Sequence, residues 1–266
     1  MLDFFSELSP VTQALIASLF TWSITTLGAS IVFFFKEVRK GIMDALLGFS
    51  AGVMISASFW SLLSPAIEMA TNLKMTSWIV AFTGFMSGGL LLFIGDKVFS
   101  HFSSKNNNNG AGKIKRCLML IFSITLHNIP EGLVIGVAFG SLAYGVEGAT
   151  LASAITLAIG IGLQNFPEGS AVSLPLRREG MKRAKAFFLG QATGIVEPIS
   201  AVLGAFLVLK IQVLLPFLLA FAAGAMIYVV VEELIPESQS NSRKDLMALF
   251  TLIGFSVMMI LDVALG

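Results

Sequence analysis

Read for its hydrophobic and polar positions, the chain is a succession of long apolar runs separated by short polar stretches. Eight runs can be drawn: Val11 to Phe35, Ile42 to Ala70, Trp78 to Val98, Cys117 to Leu142, Thr150 to Pro175, Ala186 to Leu209, Leu214 to Val231, and Leu246 to Leu265. A helix in a soluble core alternates apolar and charged faces, whereas a run of about 20 apolar residues with few charges matches the thickness of a bilayer. Backbone groups inside lipid must find partners within their own segment, so each run predicts a helix. The expected fold is all-α: a polytopic membrane protein with eight transmembrane helices, forming a single transmembrane domain over residues 1–266 in a lipid bilayer.

Composition agrees, since 56% hydrophobic and 12% charged side chains leave too little polar surface to coat a soluble globule. The loops then predict orientation. Loops one, three, five and seven hold 15 of the 17 basic residues, leaving Lys74 and Lys210 for the other side. By the positive-inside rule, which holds for short loops, the odd loops are cytoplasmic and both termini lie outside the cell membrane, the inner membrane for a Gram-negative source. The basic residues are scattered rather than gathered on one face, which excludes nucleic acid as a partner. One cysteine, Cys117, rules out an internal disulfide and a cysteine-rich metal site. Asp3 and Glu7 stand where a signal peptide carries positive charge, so the first run is expected to be kept as a helix. Ser100 to Arg116, with Asn106 to Asn109, Gly110 and Gly112, has no apolar period and predicts a flexible cytoplasmic loop. His101 at its start reads as a solvent-facing residue.

Within the apolar background one polar hexapeptide occurs twice. His127-Asn128-Ile129-Pro130-Glu131-Gly132 lies midway along the fourth run, and Gln164-Asn165-Phe166-Pro167-Glu168-Gly169 midway along the fifth. An ionised carboxyl at the bilayer centre costs about 2.5 to 3.5 kcal/mol, so two acids with amides and an imidazole call for a compensating cation. On a helix His127 and Glu131 are four apart, and Asn128 and Glu131 three apart, so they share a face. Gln164, Asn165 and Glu168 repeat those offsets. The short connection Ala143 to Gly148 makes the two helices antiparallel neighbours, whose motifs meet at one depth. Pro130 and Pro167 free the carbonyls of Leu126 and Leu163 beside the acids. Imidazole with carboxylate and amide oxygen suits zinc and neighbouring divalent transition metals; the lack of thiolate argues against copper(I).

The paired His127-Asn128-x-Pro-Glu-Gly and Gln164-Asn165-x-Pro-Glu-Gly motifs resemble the fourth and fifth helices of the ZIP (Zrt/Irt-like protein) divalent metal transporters, in particular the bacterial GufA-like branch. The resemblance implies eight helices with both ends outside, and import of divalent metal into the cytoplasm: zinc foremost, with cadmium, iron or manganese as further cargo. It also implies a two-metal centre formed by His127, Asn128, Glu131, Gln164, Asn165, Glu168 and Glu197 of the sixth helix. Met54, Ser61 and Glu68 recur every seven residues and so share one face of the second helix; by resemblance they line the entrance, with Asp262 near Glu68. Asp96, Glu232 and Glu233 are implied at the exit.

Gly132, Gly136 and Gly140, like Gly48 and Gly52 or Gly190 and Gly194, step by four and let helices approach closely, either for static packing or for sliding. The partners expected are divalent metal ions, the bilayer and a second copy of the chain in a homodimer. The rival reading, an intramembrane metal-dependent hydrolase, asks for more histidine ligands than His127 alone supplies within the membrane.

Overall fold

The computed structural model describes residues 5–35, 39–104, 111–144, 150–210, 212–240 and 243–265. Among these residues the chain is helical, with short turns and no strand. The long helices are α1 (Pro10–Phe34), α2 (Lys40–Asn72), α3 (Ser77–Ser104), α4 (Ala111–Ser141), α5 (Leu151–Arg178), α6 (Arg183–Leu209), α7 (Leu215–Ser238) and α8 (Lys244–Leu265). Among the described residues six of them, all but α4 and α5, hold a stretch long and apolar enough to cross a membrane. The other two carry the doubled motif and are 31 and 28 residues long. Even the shorter is about 42 Å from end to end at 1.5 Å per residue, more than the hydrocarbon thickness.

Local chemistry sets where helices begin. Ser9 caps α1 by accepting from Thr12 N, with Pro10 at the first position, where a missing N–H is harmless. Thr150 and Ser153 form a reciprocal capping box at the start of α5, and Arg177 and Arg178 close its last turn, where cations favour the dipole. The stretch expected as a loop over 100–116 is shorter than that. Helix α3 runs on to Ser104 and α4 starts at Ala111, while 105–110 lie outside the described residues. Polar residues beyond the bilayer keep their backbone bonds in a helix as readily as in a loop, so loss of apolar period marks the membrane surface and not the helix end.

The helices assort into two groups of four. In the first, α1 packs along α5, α4 along α6, and α1 also touches α4 and α6; in the second, α2 packs along α8, α3 along α7, and α2 meets α7. The groups join where α2 crosses α5, with smaller contacts of α7 on α4 and α8 on α5. Within each group backbones touch: a Cβ added at Gly169 would fall on the Thr25 carbonyl of α1, and one at Gly224 on the Phe85 carbonyl of α3. Outward faces are apolar, with Trp78 and Phe82 of α3 and Leu252 and Val263 of α8 exposed. That is the solvent preference of lipid rather than water.

Two helices carry a wider, π-type turn, Ser58–Leu63 in α2 and Val230–Leu234 in α7. Each is followed two residues later by a proline. Pro65 and Pro236 have no N–H for the carbonyls of Ser61 and Glu232, four residues back, and the residue before each proline instead donates five back: Ser64 N to Phe59 O and Ile235 N to Val230 O.

Candidate metal centre

Halfway along α4 and α5 the motif residues are shut away from the surface. Asn128, Glu131, Gln164, Asn165 and Glu197 are wholly buried and Glu168 is 3% exposed. Gln164 and Asn165 are consecutive, so on a helix they point about 100° apart and serve different neighbours. Gln164 Nε2 donates to Glu131 Oε1 of α4 at 2.5 Å. Asn165 Nδ2 donates to both carboxylate oxygens of Glu197 on α6, at 3.0 and 2.9 Å. Glu197 follows a 3₁₀ turn, Thr193–Ile195, and sits in the first turn of the helical segment Val196–Lys210, where a carboxylate is favoured by the free N–H groups.

The predicted pairing of α4 with α5 is thus met at Gln164 and Glu131, but the centre draws on five helices. From α1, Thr21 Oγ1 donates to Glu197 Oε2 at 2.6 Å and Thr25 Oγ1 to Oε1 at 3.4 Å. Neither threonine stood out in the sequence. The available signal was a row of hydroxyls, Ser18, Thr21 and Thr25, at helical spacing in an apolar helix, and all three are buried. From α2, Ser50 Oγ donates to the Gln164 carbonyl at 3.3 Å.

Electrostatically the site is acidic: Glu131 is repelled by Glu168 and Glu197, and Glu168 by Glu197 and by Glu233 of α7. Among the described residues, both amide atoms of Asn128, Glu131 Oε2, Gln164 Oε1, Asn165 Oδ1 and Glu168 Oε2 find no hydrogen-bond partner. Buried polar atoms are ordinarily paired, so oxygens left over in a carboxylate-rich pocket are positions for a cation. No three His, Cys, Asp or Glu side chains among the described residues close into a ready-made metal cage. The side chains of His127 and His101 lie outside the described residues.

Cavities flank the motif at either end. One of about 160 Å³ lies where α4 ends and α5 begins, lined by Ser61, Asp262, Ser141 and Ser153 among others. There Ser61 Oγ donates to Asp262 Oδ1 at 2.6 Å. Met54 is buried and does not line this cavity, and Glu68 is exposed farther along α2. The other cavity, about 690 Å³, lies where α5 ends and α2 begins; its walls include Asp44, Glu179, Glu232, Glu233 and Glu237. Asp96 does not line it. It sits on the α3/α7 seam, where Tyr228 Oη donates to its Oδ2 at 3.2 Å. The three residues implied at the exit therefore divide between a cavity wall and a helix seam, and Asp44, Glu179 and Tyr228 are additions that sequence reasoning did not make.

The family described as ZIP Zinc transporter matches residues 109–262, which contain both motif copies and Glu197. The chain is 37% identical to the human zinc transporter ZIP11 over 97% of its own length and 98% of that protein's. It is 34% identical to the zinc transporter GufA of Myxococcus xanthus, over 95% and 98%, and 32% identical to the zinc transporter ZIPB of Bordetella bronchiseptica, over 92% and 79%.

Proposed function

The chain belongs to the ZIP zinc transporter family, and from that premise we propose that it carries zinc across the cell membrane into the cytoplasm, through a metal site at mid-membrane on α4 and α5. Cadmium, iron and manganese are the lesser cargo. The observation that carries this reading is the set of buried oxygens on Asn128, Glu131, Gln164 and Glu168 that find no partner among the described residues, placed between two cavities. These oxygens, with the imidazole of His127, are donors that a divalent transition metal accepts in place of its water shell.

The path begins at Glu68 and the Ser61–Asp262 pair, where carboxylates raise the local cation concentration. It crosses the motif and ends among Glu232 and Glu233, with Glu168 and Glu233 in electrostatic reach of one another. Asp96 serves the exit from the neighbouring seam. Eight crossings with both termini outside follow from the loop charges. Alternating access is carried by the first group of helices moving against the second. Backbones interlock inside each group, whereas across the boundary a Cβ at Gly160 of α5 would meet only the flexible end of the Met258 side chain on α8.

The relatives named above are transporters and not hydrolases. Proteoliposomes loaded with a zinc-sensitive dye test the proposal: zinc flux with no hydrolysis of added peptide or ester is expected, and hydrolysis without flux defeats it. Direction is tested separately. A cysteine placed between Lys105 and Lys115 reacts with a membrane-impermeant thiol reagent only from the cytoplasmic side, and labelling in intact cells reverses the orientation.

A further inference from the structure

The two sides of the buried site treat their carboxylates differently. A carboxylate offers about four lone-pair positions. At Glu197 neutral protein groups face them: Asn165 Nδ2 bridges Oε1 and Oε2 at 3.0 and 2.9 Å, Thr21 Oγ1 reaches Oε2 at 2.6 Å, and Thr25 Oγ1, whose one proton is shared with the Thr21 carbonyl, stands 3.4 Å from Oε1. On the other side Glu131 accepts one bond, from Gln164, and among the described residues Glu131 Oε2, Gln164 Oε1, Glu168 Oε2 and Asn128 Oδ1 are left over, while on the Glu197 side the one such atom is Asn165 Oδ1, the end of the amide that does not bond Glu197.

A cation beside Glu197 would face the hydrogens of the Asn165 amide and of two hydroxyls. Turning the amide over sets its oxygen against the carboxylate, so Glu197 itself holds the amide in the donor orientation. Binding there would also strip hydrogen bonds from a carboxylate that is 0% exposed. Helix packing supports the same assignment, because the donors come from α1 and α5 and the acceptor from α6, so the network ties three helices of one group together.

We infer that this chain holds one divalent ion at mid-membrane and not two: the ion lies on the Asn128, Glu131, Gln164 and Glu168 side, and the Asn165 amide with the Thr21 and Thr25 hydroxyls occupies Glu197 in place of a second metal. The inference rests on the proposed function only in that the site holds metal at all. It assigns Thr21, Thr25 and Asn165 as positioning residues and Glu197 as a helix tie.

The test is ion stoichiometry. The purified full-length chain in detergent, stripped of metal, is equilibrated with Cd²⁺ at a low free concentration set by a chelator, and bound cadmium is counted per chain by elemental analysis. One ion per chain is expected, and it is lost in Glu168→Gln. Asn165→Asp removes both N–H donors and sets a second carboxylate about 3 Å from the first, a pair that calls for a cation; the count rises to two. Thr21→Val lowers the melting temperature and leaves the count at one, as a purely structural donor does. Two ions on the natural chain overturn the inference without touching the transport reading, and so does a count that stays at one in folded Asn165→Asp. No ion at all, with Glu168→Gln indistinguishable from the natural chain, overturns both. The count on the natural chain needs no variant to fold.

Discussion

The group α1, α4, α5 and α6 and the group α2, α3, α7 and α8 are held together by the same device and filled with opposite contents. In both, small residues let helix backbones come into contact, as at Gly169 on Thr25 and Gly224 on Phe85. The first group buries three glutamates, two asparagines and a glutamine at mid-length. The second buries Met54, Leu62, Met226 and Met258 there, and its carboxylates stand towards its ends, Asp262 beside one cavity and Asp44, Glu232 and Glu233 beside the other. Close backbone packing is thus compatible with either filling. What differs is the work each group can do: one holds a charge in the low-dielectric interior, and the other offers an apolar wall with acidic mouths.

The largest expected effect strikes the polar core of the first group. Glu168→Ala abolishes zinc flux in proteoliposomes at matched protein, because no other group at that position compensates the ion. Glu68→Ala, at the exposed mouth, lowers flux only a few-fold at low ionic strength, by an amount that shrinks as salt screens the attraction. Equal losses, or a Glu68 effect indifferent to salt, erase the distinction between core and mouth.

Next in size is packing. Gly169→Leu drives a side chain into the α1 backbone and costs about 1 to 3 kcal/mol or more, read as a fall in melting temperature. Gly160→Ala meets only the Met258 thioether and leaves the melting temperature nearly unchanged, while slowing flux if the boundary slides. A melting temperature that drops alike in both variants shows the boundary to be as rigid as the groups.

Gln164→His brings the smallest change, confined to one ligand. It replaces the amide that bonds Glu131 with a second imidazole, which favours zinc over manganese. The half-saturation concentration for zinc falls about threefold to tenfold, on the order of 1 kcal/mol. The maximal rate also falls, since an ion held more firmly leaves more slowly, and the manganese-to-zinc ratio declines. Competition flux with both ions measures all three. An unchanged ratio would mean that position 164 does not face the ion.

Much of this was legible along the chain. Run length alone separated membrane helices from a soluble core, and two copies of acid, amide and proline at the same offsets marked one depth in two helices, because helical periodicity turns spacing into direction. Helix reaches into both ends of the stretch 100–116 expected as a loop, because an apolar pattern reports the environment of a helix and not its hydrogen bonds. Glu197 was reached only through family resemblance, since a single Val-Glu-Pro in a sixth helix carries no local sign of its partners.

The sequence by itself determined that polar groups would be buried at mid-length in α4 and α5, because the runs around them are largely apolar and a helix must carry them there. Only the tertiary structure decided which of them are used up by the protein. Gln164 and Asn165 are neighbours in one motif, yet α4 stands beside the first and α6 beside the second, so one amide meets Glu131 and the other is spent on Glu197. Thr21 and Thr25 read as ordinary threonines until α1 packs along α5 and brings their hydroxyls to that carboxylate. Asp96 likewise reads as one acid among three until α7 sets Tyr228 against it. A lone pair can be filled from any helix that arrives, and which helix arrives is settled by the shape of faces far apart in sequence.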